Sequence, residues 1–164
     1  MDDAIEAFKI ATIEVRPGRL GIARLPGRSG DLGGDIDAIR RWGARLVLSL
    51  TESDEMAAHG AAALAQGLAE CGLAHHHFPI RDFGAPEQAD ARWPELSRAL
   101  HARLDAGEGL LLHCMGGKGR SGMLALRLLT ERGMEPDAAL ALIRHVRPGA
   151  VETAEQENWG RGSR

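Results

Sequence analysis

Apolar positions along the chain follow two rhythms, and the changes from one to the other predict strands alternating with helices. Ile10-Ala11-Thr12-Ile13-Glu14-Val15 has the β-branched character of a strand, Pro17-Gly18 breaks it, and a second strand over Leu20–Leu25 ends at Pro26-Gly27. The glycine-rich polar stretch 28–34 follows. Asp35 is then placed to cap a helix carrying Ile36, Ile39 and Trp42, with Gly43 as its stop. Arg45–Leu50 is a continuous apolar run of the kind that a parallel sheet buries on both faces. Two short helices, 52–60 and 61–71, end at Gly72, and a strand over Leu73–Ile80 comes next.

The second half repeats the alternation. Pro79–Pro86 reads as a loop and Glu87–Ala106 as a long helix, with Trp93, Leu96, Leu100 and Leu104 on its core face. Leu110–His113 is a strand, 120–132 a helix closed by Gly133, and 137–146 a helix with Pro136 at its first position. Pro148-Gly149 makes a turn before a last helix over 151–159, and 160–164 reads as a frayed end. Strands alternating with helices predict an α/β fold: one domain over 1–164, with a central, mostly parallel sheet flanked by helices. Ligands of such sheets bind at the C-terminal ends of strands.

Composition narrows the class. With 164 residues, 44% of them hydrophobic, the chain can bury roughly 70% of its unfolded surface. A net charge of −3 offers no broad basic face for nucleic acid. Asp2, Asp3 and Glu6 have the wrong sign for a secretion signal, and no apolar run approaches a membrane span, so the expectation is a soluble, cytoplasmic protein. Two distant cysteines make no disulfide framework. The triple histidine 75–77 invites a metal reading, but a strand puts only His75 and His77 on one face, and two ligands make no zinc site. No cofactor and no metal are implied.

The chemistry concentrates where the strand ending at His113 delivers Cys114 into Met115-Gly116-Gly117-Lys118-Gly119-Arg120-Ser121-Gly122. A glycine-rich loop opening a helix turns backbone N–H groups toward one concavity, and such a concavity binds anions. The same partial charge, with Arg120 near, favours the thiolate of Cys114 and lowers its pKa below the free value of about 8.5. Arg120 offers a planar fork for two phosphate oxygens, and Ser121 can donate to the thiolate. A thiolate attacking phosphorus needs a carboxylic acid for the leaving oxygen, carried on a loop able to close; Asp82, between Arg81 and Phe83 and before Gly84, is the best placed. A turn role for Asp82 is the bland alternative.

The string HCMGGKGRSG resembles the signature loop of the cysteine-dependent protein tyrosine and dual-specificity phosphatases. The order LGIARLPG (20–27), HHHFPIRDFGAPE (75–87), the loop, and GAVETAEQ (149–156) extends the resemblance over most of the chain, toward the cyclin-dependent-kinase-associated branch. It implies a metal-independent phosphoprotein phosphatase working through a phosphocysteine. The implied roles are Cys114 as nucleophile, Arg120 and the 115–119 backbone as phosphate ligands, Asp82 as general acid, His113 as a loop-orienting residue and Phe83 as a cleft wall.

Family members place glutamine where Glu152 stands and again where Gln156 stands, so the water-orienting duty is expected to fall on Gln156, or on Glu152 unless it only caps the last helix. Two alternatives accompany this reading. Lys118, one of two lysines in the chain, fits an inositol phosphate or phosphoinositide substrate, and Glu152 fits a weakly catalytic phospho-binding module. A redox pairing of Cys71 with Cys114 is a minor further possibility. The implied partner is a phosphorylated protein or small phosphate ester; the motifs do not specify an oligomeric state.

Overall fold

The structure, a computed structural model, describes residues 7–162. Five strands form one sheet: β1 (Ala11–Val15), β2 (Gly18–Ala23), β3 (Ala44–Ser49), β4 (Ala74–His77) and β5 (Gly109–His113), in the order β1-β2-β5-β3-β4. Only the β1–β2 pairing is antiparallel; β5 lies parallel between β2 and β3, and β4 is an edge strand on β3. The mostly parallel sheet follows from the intervening helices: α1 (Leu32–Trp42), α2 (Ser53–Ala58), α3 (Leu64–Glu70), α4 (Trp93–Asp105), α5 (Gly119–Glu131), α6 (Pro136–Val146) and α7 (Ala154–Gly160).

Successive residues of β5 serve opposite layers. Leu110 and Leu112 pack with Leu100, Leu104, Leu124, Leu128 and Ile143 on one face, while Leu111 joins Ile36, Ile39, Leu64 and Leu68 on the other. All five residues of β5 are buried, so the strand that carries the signature loop is the middle of the core.

Several element boundaries differ from expectation: β2 spans Gly18–Ala23, α3 Leu64–Glu70 and α7 Ala154–Gly160, and at three others a local interaction accounts for the shift. α1 begins three residues before Asp35, because Asp31 caps it by accepting from the Gly34 N–H at 2.9 Å. Asp35 instead sits buried in the first turn, where it accepts from the Gly27 N–H at 2.7 Å and pairs with Arg24. α4 starts at Trp93 and not at Glu87: Asp90 accepts from the Arg92 backbone and guanidinium, which folds the preceding residues into a turn, and a proline sits at the helix start. The 73–80 strand is regular only through His77. Phe78 and Ile80 still donate to Ser49 and Leu50, but Pro79 between them has no N–H to continue the ladder.

The C-terminal residues also depart from the frayed end expected. Gly160 is buried as the last residue of α7, and Arg161 pairs with Glu157 and Asp137. Residues 163–164 lie outside the described residues.

Candidate active site

Cys114 leaves the end of β5 and is 2% exposed, at the floor of the loop that leads into α5. The loop's carbonyls are held from outside, one after another. The Met115 oxygen accepts from the Leu25 N–H (3.1 Å) and Arg28 Nη1 (3.3 Å). Arg147, at the end of α6, donates through Nη2 to the Gly116 oxygen (2.8 Å) and through Nε to the Gly117 oxygen (2.9 Å). The Lys118 oxygen accepts from the Gly122 and Val151 N–H groups.

A trans peptide sets its N–H opposite its C=O. Each clamped carbonyl therefore turns the next amide, from Gly116 to Gly119, toward the concave side. Lys118 provides no side-chain cap to α5, so the helix N-terminus keeps its first-turn donors for an anion. Gly117 has φ +71°, and a Cβ there would lie 2.5 Å from the Ala23 carbonyl carbon; only glycine fits that turn.

Arg120 is 1% exposed, and much of its fork is already engaged. Nη1 donates to Glu55 Oε2 (2.7 Å) and to the Ile80 carbonyl (2.8 Å), Nη2 donates to Glu55 Oε1 (2.8 Å), and Nη2 also lies 3.2 Å from Asp82 Oδ1. Among the described residues Nε–H has no acceptor, so the Nε/Nη2 edge is the edge available to a phosphate. A buried guanidinium needs a resident counter-charge, and Glu55 is that charge. Burial pushes the Glu55 carboxyl up, but the bonds from Arg120 and from the Glu52 N–H outweigh it and hold the group below its ordinary range. Burial likewise pulls Arg120 down, and Glu55, with Cys114 and Asp82 adding, raises it further above its already high value.

Asp82 is half-exposed on the loop after β4. The loop is tied to the start of α7: Thr153 Oγ1 donates to the Phe83 carbonyl (3.2 Å) and Gln156 Nε2 to the Gly84 carbonyl (3.2 Å). Phe83 adopts a left-handed φ of 62° and is 56% exposed beside the carboxylate.

Gln156 is fully buried, and its Oε1 accepts from the Glu152 N–H at 2.9 Å. Its amide thus ties the Asp82 loop to α7 and also lies beside the signature loop, where a Cβ on Gly119 would meet its Nε2 and Oε1 at 3.0 Å each. The carboxylate of Glu152 lies over the loop: a Cβ on Gly119 would meet its Oε1 at 2.4 Å. Thr153, and not Glu152, caps α7 by accepting from the Gln156 N–H.

Ser121 Oγ is buried with no hydrogen-bond partner, so the expected bond to Cys114 is not made. The Lys118 side chain packs along Gly149, where a Cβ would lie 3.5 Å from its Cδ. His113 is fully buried and touches Ser49 and the Cys114 carbonyl; desolvation by burial pushes its pKa down to about 3, which leaves a neutral imidazole and no general base. Cys71 is exposed at the end of α3, Cys114 is buried, and both are free thiols.

A buried cysteine in a nest of amides, an arginine edge and a carboxylate together form a site for phosphate monoesters. The family model described as PTP-SAK, Swiss Army Knife protein, DSP-PTPase phosphatase domain, matches residues 15–159. The chain belongs to this family. It is a cysteine-dependent phosphatase of the dual-specificity class. It is 28% identical over 148 residues to the human cyclin-dependent kinase inhibitor 3, covering 85% of this chain and 69% of the human protein. The kinase associated phosphatase with its catalytic-site cysteine replaced by serine superposes with a TM-score of 0.82 at 26% identity, over 94% of this chain and 93% of that one. Tk-PTP in its active form superposes with a TM-score of 0.72 at 31% identity, over 91% and 92% of the two chains.

The dual-specificity phosphatase site includes residues that sequence reasoning missed. Glu55 reads as an ordinary first-turn residue of α2, and its only signal is that a buried Arg120 must have an acidic partner somewhere. Arg28 and Arg147 are hidden among the many arginines of the chain.

Proposed function

We propose that the chain hydrolyses phosphate monoesters on proteins, phosphotyrosine foremost with phosphoserine and phosphothreonine also admitted, through a phosphocysteine on Cys114 and without a metal. The single observation that carries this reading is that the outward-clamped loop and Arg120 stand beside Cys114, with the Asp82 carboxylate 3.2 Å from the same guanidinium. The thiolate attacks phosphorus in line with the ester oxygen; the P–O bond breaks, an S–P bond forms, and protonated Asp82 gives its proton to the leaving oxygen. Water then attacks phosphorus, Asp82 takes the proton, and the S–P bond breaks to release phosphate and thiolate. Glu152 Oε1 and the Gln156 amide both lie beside Gly119, and the carboxylate with the second Nε2 hydrogen of Gln156 holds that water.

Phe83, exposed beside Asp82, suits an aryl ester, which favours phosphotyrosine over an inositol ring. The inositol phosphate reading rests on Lys118, whose side chain is drawn toward Gly149 at the rim. Hydrolysis of an aryl phosphate in EDTA tests the proposal. Cys114→Ser is expected to reduce turnover to background, and Asp82→Asn by about a hundredfold or more with loss of one limb of the pH profile. Persistent turnover in Cys114→Ser overturns it. A long-lived phosphocysteine with negligible multiple turnover shows instead a phospho-binding module.

A further inference from the structure

Four loop carbonyls are clamped by residues outside the loop, and one peptide precedes them: the Cys114–Met115 unit, whose N–H is the first to follow the sulfur-bearing residue. Its carbonyl accepts from His113 Nδ1 at 3.3 Å. A carbonyl oxygen only accepts, so Nδ1 carries the proton, and the neutral ring then presents a lone pair at Nε2. That lone pair faces Ser49 Oγ at 2.6 Å, deep in β3 with no exposed surface. Ser49 must therefore donate its one proton to His113. The same oxygen contacts His75 Nε2 at 2.7 Å, so His75 must be the donor there. Every proton in the chain is assigned by its neighbour: His75 to Ser49, Ser49 to His113, His113 to the Cys114 carbonyl.

We infer that Ser49 and His75 are positioning residues for the nucleophile: they fix the His113 tautomer, and so aim the Met115 N–H at the Cys114 sulfur. This rests on the phosphatase reading of the site. Planarity of the peptide carries the effect, as it does at the other four clamps. With Ser49 lacking its hydroxyl, His113 Nε2 loses its only donor in a fully buried position, and the alternative tautomer with the proton on Nε2 becomes competitive. That tautomer turns a lone pair onto the Cys114 oxygen and releases the peptide. Burial, with His77 and His76 adding, holds His75 below the usual histidine range, which agrees with a neutral donor. His75 is half-buried on the edge strand, so the chain runs from near the surface of the sheet to its centre. The histidine run thus has a use other than metal binding: His75 reaches Ser49, and His77 bonds the Thr51 carbonyl at 2.6 Å.

The test reads the thiolate directly, through the pH dependence of Cys114 alkylation by iodoacetate, with aryl phosphate turnover of the unaltered protein measured alongside. Ser49→Ala and His75→Leu are expected to move the alkylation midpoint upward, by about one pH unit for Ser49→Ala, which corresponds to about tenfold less thiolate below the midpoint. Ser49→Thr and His75→Gln, which keep a hydroxyl and an N–H donor, are expected to restore it. Thermal unfolding separates a packing loss from a titration shift. Should Ser49→Ala fail to fold, the His75 pair, on a half-buried edge position, decides the matter. An unchanged midpoint in folded His75→Leu overturns the inference. Absence of turnover in the unaltered protein, with the midpoints shifted as expected, refutes the phosphatase reading alone.

Discussion

The two ends of α5 treat charge in opposite ways. Near its C-terminus Glu131 is a carboxylate at the end of the helix where the dipole disfavours one, and four donors surround it: Trp93 Nε1 (2.8 Å), Ser97 Oγ (2.7 Å), His101 Nε2 (3.0 Å) and Arg127 Nε (3.1 Å). Burial pushes Glu131 up, and these bonds, led by Ser97, hold it below its ordinary range. At the N-terminus the cap position has no side-chain bond, the loop carbonyls are turned outward, and Glu55 is bound to the arginine and not to the loop amides. One end is saturated by the protein itself; the other keeps its donors for something else. A structural charge and a functional site can therefore be told apart on one helix by asking which donors still lack acceptors.

The sharpest way to break the contrast is to treat both carboxylates alike. Glu55→Gln leaves Arg120 buried without its charged bidentate partner, so kcat/KM for an aryl phosphate is expected to fall about a hundredfold and stability to fall by about 3 kcal/mol with it. Glu131→Gln is expected to lower stability alone, by about 2 kcal/mol, or about 5 °C in Tm, with kcat/KM unchanged. If both variants lose stability equally and neither loses activity, the distinction between the two ends fails.

A smaller effect separates the fork of Arg147 from its charge. Arg147→Lys keeps the positive charge but cannot span the Gly116 and Gly117 oxygens, and inorganic phosphate inhibition is expected to weaken by about tenfold.

The smallest effect is the pH dependence. The folded pKa of Glu131 lies below its unfolded value, so its contribution is complete above the ordinary carboxylate range and drains away as pH falls through the folded value. Thermal unfolding measured at falling pH should show this decline in the unaltered protein and less of it in Glu131→Gln.

Much of this arrangement was legible in the residues. The apolar run into Cys114, the spaced glycines and the proline-bounded loop around Asp82 marked out the strand, the glycine turn and the loop that the structure brings together, because those features are local and periodic. Asp31 and Asp35 were not separable on that basis: both precede the apolar pattern of α1, and only the long-range pairing of Asp35 with Arg24 and Gly27 decides which one caps. Glu55 was invisible for a similar reason, since its partner lies 65 residues away and its own helix is an unremarkable short turn. The bond from Gln156 to the Asp82 loop is hidden in the same way, because nothing near it in sequence reveals the Gly84 carbonyl that its amide meets.

The placement of β5 between β2 and β3 and of β4 at the margin has a kinetic consequence. The sulfur is carried by the strand with neighbours on both sides, whose amides should be among the last to exchange with deuterium, whereas the aspartate follows the strand with one neighbour, whose amides should exchange sooner. Local opening at the periphery can thus release Asp82 while the support of Cys114 stays shut.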